Sequence, residues 1–185
     1  MTAVASKRKT AALVAVALVA VAAVAVVLTL LLKGETEADT VESKPGTPVA
    51  VSADDLREFA RSAYGLVYWA GELPGTELEL TRTNRNEIFV RYLSGDAAMG
   101  DSRPAFATVS TYPYERAYEV TAKSGKGKGM VSRNAPDGGI AVWSKSRPTS
   151  VYLAYPDSDR LVEVFDPDAK RARELVFSGQ VSPVE

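Results

Sequence analysis

Thr76-Glu77-Leu78-Glu79-Leu80-Thr81-Arg82 alternates apolar and acidic side chains at its centre. Successive side chains of a strand point to opposite faces, so Leu78 and Leu80 share one face while Glu77 and Glu79 share the other. One dry face and one wet face is the mark of an antiparallel sheet. Reading outward, Asn84-Arg85-Asn86 supplies turn chemistry and Glu87–Leu93 supplies the return strand. A loop holding Gly95, Asp96, Gly100 and Asp101 leads to a further strand, Ala105–Tyr112. Upstream, Leu66–Ala70 reads as a short apolar strand. Before it, Ser52 and Asp55 form a capping-box pair at the start of a helix whose Leu56, Phe59, Ala60 and Ala63 share one face, with Gly65 as its stop.

The second half repeats these signals. Pro113 opens a short helix with Tyr114, Ala117, Tyr118 and Thr121 on one face, ended by Gly125. After a loop over 125–139, strands are expected at Ile140–Ser144, Ser150–Tyr155 and Leu161–Phe165. Asp166-Pro167-Asp168 is a turn and helix start, Lys170–Leu175 one helical turn or two, and Val176–Val184 an extended end. Trp69 and Trp143 each precede a proline by five residues, Pro74 and Pro148, and each proline leads into an alternating strand. That match lays Thr76–Leu80 over Thr149–Leu153 and Ile88 over Leu161. It implies an internal duplication, 52–112 and 113–185, of two αβββ-type repeats with the helices on one face; chance coincidence of the spacing is the equal alternative.

Ahead of this domain, residues 11–32 are Ala, Val or Leu except Thr29. As a helix at about 1.5 Å per residue the run spans about 33 Å, matching the ~30 Å hydrocarbon core. Lys7, Arg8 and Lys9 precede it, and Glu35, Glu37, Asp39 and Glu42 follow. The positive-inside rule therefore sets residues 1–10 as a basic cytoplasmic tail, 11–32 as a transmembrane helix in the lipid bilayer, and the C-terminal domain outside a plasma membrane. A cleaved signal peptide is the weaker reading, because the run exceeds a usual h-region and Leu30-Leu31-Leu32-Lys33-Gly34-Glu35 offers no small-x-small site. Residues 33–51, acidic and rich in Thr, Ser, Pro and Gly, read as a flexible linker holding the domain about 20–25 Å from the surface. The fold class is thus α+β: one N-terminal transmembrane helix, then a small mainly antiparallel β domain over 52–185 with one or two helices.

Charge and composition narrow the chemistry. The chain has 185 residues and net charge −1, and the tail's three cations leave −4 for the remainder. Nucleic acid as main partner is disfavoured, since phosphate binding needs a basic excess. There is no Cys and no His. That removes disulfides and thiolate chemistry, together with the commonest neutral-pH base and transition-metal ligand. No cofactor is indicated.

Four patterns deserve weighing against plainer readings. Gly125-Lys126-Gly127-Lys128-Gly129, with Lys123 and Arg133, is a candidate anion-binding loop, but a phosphate loop needs a strand before and a helix after, and here the order is inverted. Asp157/Asp159 and Asp166/Asp168 near Glu163, and Asp96/Asp101, are short of the six or more oxygens calcium takes, and suit turns better. Ser144-Lys145-Ser146 and Lys123-Ser124 resemble a Ser–Lys pair only in composition, because neighbours on a strand point apart. Trp69 and Trp143, with Tyr64, Tyr68, Tyr92, Tyr112, Tyr114, Tyr118, Tyr152 and Tyr155, form a candidate aromatic surface for carbohydrate or peptide, against which stands the core's own need for bulk. The expectation is a non-enzymatic binding or interaction module of a bacterial cell envelope, engaging a protein or envelope partner. An envelope hydrolase or transferase using carboxylates or Ser–Lys, and a structural or assembly role, are the alternatives.

Overall fold

The structure, a computed structural model, describes residues 44–62 and 65–185. Its main element is one eight-stranded sheet, antiparallel at every pairing, in the order β1-β3-β4-β5-β9-β8-β7-β6. The strands are β1 (Val49–Val51), β3 (Thr76–Arg82), β4 (Ile88–Ser94), β5 (Thr108–Pro113), β6 (Met130–Asn134), β7 (Ile140–Ser144), β8 (Ser150–Ala154) and β9 (Arg160–Phe165). Two short strands, β2 (Tyr68–Trp69) and β10 (Ser182–Pro183), pair separately. Three helices complete the domain: α1 (Ala53–Arg61), α2 (Ala117–Ser124) and α3 (Ala169–Phe177).

Register explains the two faces. Val49, Leu80, Val90, Val109, Val164, Val151, Trp143 and Val131 pair in one unbroken row across all eight strands. From Leu80 to Val151 these side chains are essentially inaccessible, each contributing roughly 1.5–3 kcal/mol by burial. β-Branched residues suit this pleated surface. α1 brings Leu56 and Phe59 to the same core, α3 brings Ala172, Leu175 and Val176, and the β2 segment adds Val67, Tyr68 and Trp69. Thr111 Oγ1 accepts from the Tyr68 backbone N–H at 3.0 Å, and the Tyr92 hydroxyl accepts from that of Ala70 at 2.6 Å, so the buried strand ends have partners.

The adjacent row faces the other way: Thr81, Phe89, Ser110, Glu163, Tyr152, Val142 and Ser132. Only part of this face is covered. α2 lies across β7, β8 and β9, and Gly125 at its end approaches so closely that an added Cβ would fall 2.7 Å from that of Ser132 and 3.0 Å from Val142. Trp143 and Phe177 instead meet on the core face, rings 6.0 Å apart and edge to face. Helices therefore cover both faces, rather than the one expected of a duplicated unit.

The α+β, mainly antiparallel reading holds, and β3 and β7 have the expected bounds. Several details differ. Among the described residues there are three α-helices instead of one or two, because Asp168 caps α3, accepting from Lys170 N–H at 2.8 Å, and the helix runs on to Phe177. The linker ends earlier than read: Val49–Val51 pair with Leu78–Leu80 as an edge strand. The segment 125–139 is not all loop, since β6 lies inside it; as an exposed edge strand it needs no apolar alternation. The extended end contracts to β10. Strand order about the central β5–β9 pair matches β3 with β7, β4 with β8 and β5 with β9. The Trp–Pro spacing instead matches β3 with β8. Trp69 and Trp143 accordingly stand in different sheets, β2–β10 and the main one. Among the described residues no helix is long and apolar enough to cross a membrane; the run 11–32 lies outside them.

Candidate functional site: an open groove on the polar face

Where α2 stops, the uncovered face over β3, β4, β5 and β9 forms a groove of about 490 Å³, within the ordinary size range of small-molecule sites. Its shape follows from side-chain size. β5 contributes small residues, Thr108 and Ser110, at the middle of the sheet, and both flanking strands contribute large ones. Ser110 lies between Phe89 on β4 and Glu163 on β9, and Thr108 between Arg91 and Phe165. The floor sinks at β5. Tyr112 closes one end, its ring 5.9 Å from that of Phe89 and edge-on to it.

The other wall is the loop between β4 and β5, which folds back over the sheet. Glu79, 1% exposed, ion-pairs with Arg91 at 2.7 Å. The second Glu79 oxygen accepts from the Gly100 backbone N–H, and Arg91 donates to the Asp101 carbonyl. Gly100 is in the left-handed region at φ +76°, and an added Cβ would press on Pro48 at 3.3 Å, so a side chain there would carry strain. Arg103 donates twice from Nε to Asp101, at 3.0 and 2.8 Å, and holds that carboxyl down to about 2. Both guanidiniums lie over Phe106, at 5.5 and 5.6 Å from its ring centre.

The polar centre is Glu163. Tyr112 donates its hydroxyl to Glu163 Oε2 at 2.9 Å, and Tyr152, opposite Glu163 across the β8–β9 ladder, also hydrogen-bonds to it. Burial, reinforced by the Glu163 charge, pushes both tyrosines above their ordinary range. They therefore stay neutral donors near pH 7. Among the described residues no cation forms an ion pair with Glu163.

The residues singled out from sequence fall elsewhere. Trp69 and Trp143 are each 8% exposed and belong to the core, with Arg57 and Arg173 stacked on their outer faces at 5.4 and 5.9 Å. They offer no aromatic surface, because both rings pack into the core cluster. Of the tyrosines, Tyr112 and Tyr152 do reach the open face, while Tyr64 lies outside the described residues. Lys123, Lys126 and Lys128 are exposed around the end of α2. Arg133 does not join them: its guanidinium stacks on Phe177, 4.6 Å from the ring centre, on the opposite face. The Asp pairs serve backbone geometry. Asp159 accepts from Arg116 N–H at 3.1 Å, Asp166 from Asp168 N–H at 2.8 Å, and Asp157 is a left-handed turn residue at φ 59°. No acidic cluster able to hold a metal occurs among the described residues. Ser144 Oγ lies 2.9 Å from Ser146 Oγ, a serine pair with no lysine in it.

Sequence reading missed Phe89, Phe106, Phe165, Ser110 and the Arg91–Glu79 pair as site residues. The alternation that placed Glu79 opposite the core was the available signal; the path of the β4–β5 loop was not encoded in any periodicity. No protein-family model matches the chain, and neither the curated proteins nor the solved structures contain a match.

Proposed function

We propose that this chain is a single-pass plasma-membrane protein of a bacterial cell envelope, its N-terminus cytoplasmic, whose extracytoplasmic domain is a non-catalytic binding module taking its ligand in the groove. The observation that carries the reading is the uncovered half of the sheet face, where small Thr108 and Ser110 lie between Phe89, Tyr112, Phe165 and Glu163. A concave, mostly apolar surface with a few convergent polar groups is the general form of a ligand site. The run 11–32 with its basic flank supports the tether.

Catalysis is less well supported. Of the three carboxylates lining the groove, Glu79 is engaged by Arg91 and Asp101 by Arg103, which leaves Glu163 without a free carboxylate as acid–base partner.

The test is a fragment titration of the full-length chain in non-ionic detergent, followed by amide chemical shifts. The expected result is saturable shifts gathered on β4, β5 and β9 around Phe89, Ser110 and Glu163. Hits that gather on the β6 edge or the α2 end instead would overturn the groove as the site. Topology has its own check: an impermeant maleimide should label a cysteine introduced at Ser124 in intact cells, and protection of that cysteine would overturn the outside placement.

A further inference from the structure

We infer that the groove recognises an organic cation, an ammonium or quaternary ammonium group, with Glu163 as its counter-charge and the Phe89–Tyr112–Phe165 ring set as its wall. The inference deepens the binding reading above and rests on it.

Charge accounting selects the sign. The groove's ionisable lining holds two cations and three carboxylates. Arg91 is committed to Glu79 at 2.7 Å, and Arg103 is clamped on Asp101. Each pair is locally neutral, and both hold the loop wall in place. Glu163 is left over. Arg147, on the β7–β8 turn, is close enough to lower the Tyr152 pKa, yet it is exposed and forms no ion pair with Glu163.

Acceptor capacity points the same way. An ionised carboxylate offers about four lone-pair positions. Two tyrosine hydroxyls occupy part of them, so the Glu163 carboxylate retains open acceptor positions. The tyrosine hydroxyls are donors to Glu163, so they orient the carboxylate without neutralising it.

The aromatic rings supply the third element. A cation above an aromatic face within about 6 Å is attracted by the ring quadrupole, and quaternary ammonium groups are bound in this way by aromatic cages. Phe165 is two residues from Glu163 on the same face of β9, and Phe89 lies across Ser110 from it. The small Ser110 between them leaves room at the carboxylate for a bulky methylated head. An anionic ligand would meet the unpaired Glu163 directly. A neutral sugar would leave the charge unanswered.

The probe pair is choline and its neutral carbon isostere, 3,3-dimethylbutan-1-ol, titrated calorimetrically into the full-length chain in non-ionic detergent with amide shifts recorded in parallel. Choline should bind saturably and at least about tenfold more tightly than the isostere, with shifts at Ser110 and Glu163. Glu163→Gln keeps a carbonyl acceptor for the tyrosines and so keeps the fold, checked by an unchanged amide spectrum outside the groove; it should abolish the preference for choline. Equal affinity of the two probes, or a preference that survives E163Q, overturns the cation inference while leaving the groove as a site. Absence of saturable groove shifts from both probes, alongside no groove hits from other fragments, overturns the binding reading as well.

Discussion

Arg91 and Glu79 face one another across the β3–β4 ladder, and their 2.7 Å ion pair also reaches the backbone of Gly100 and Asp101. One buried pair thus fastens the loop that walls the groove. Removing the cation alone strands Glu79, which is 1% exposed. Arg91→Met should destabilise the domain by about 3 kcal/mol, because a lone buried charge is far costlier than a missing pair. Adding Glu79→Leu should recover most of that loss in urea denaturation, while hydrogen exchange at Gly100 stays fast in both variants. A double mutant no more stable than R91M would refute this account of the pair.

The core face should be separable from the groove. Trp143 packs edge-on to Phe177 at 6.0 Å, beneath Arg173, on the side of β7 away from the open face. Trp143→Ala should cost about 3–5 kcal/mol as a large-to-small core change. Fragment shifts at Phe89 and Glu163, measured at low temperature where the variant is folded, should persist. Their loss would mean that the two faces are coupled.

Alkaline pH should weaken the fold. Burial is the largest cause raising the pKa of Tyr68, Tyr92, Tyr112, Tyr152 and Tyr155, the last to about 12. An unfolded tyrosine ionises near pH 10, so above that value the unfolded chain releases protons that the native one retains. The stabilisation is complete below about pH 10 and is lost progressively as pH rises through the native values. Urea midpoints should therefore fall steadily from pH 10 to 12. A flat midpoint across that window would contradict the burial of these phenols.

Much of the sheet was legible because its signal is local. Leu78 and Leu80 announce a one-sided strand, and Ser52 with Asp55 announces α1, whose capping box forms with Asp55 N–H donating to Ser52 Oγ at 3.1 Å and Ser52 N–H to Asp55 Oδ2 at 2.8 Å. β6 was illegible because an exposed edge strand carries no periodic burial: Ser132, Arg133 and Asn134 are all exposed. β1 was hidden in linker-like composition. The site was harder still. Ser110, Phe89 and Glu163 are far apart in sequence and become neighbours only through the β4–β5 and β5–β9 registers, and the long β5–β9 connection is a non-local pairing that no window of residues reveals. The bulk that makes Trp69 and Trp143 candidates for an aromatic surface is the same property that buries them in the core.

The central claim is that ligand enters over the small side chains of β5. Thr108→Phe fills the floor between Arg91 and Phe165 from a position that is only half-buried, so the groove can accept the ring without displacing the core. The deciding measurement is the fragment titration repeated on this variant of the full-length chain. An unchanged melting temperature with fragment shifts abolished at Phe89, Ser110 and Glu163 is the predicted result; the same shifts, undiminished with the floor filled, would contradict it.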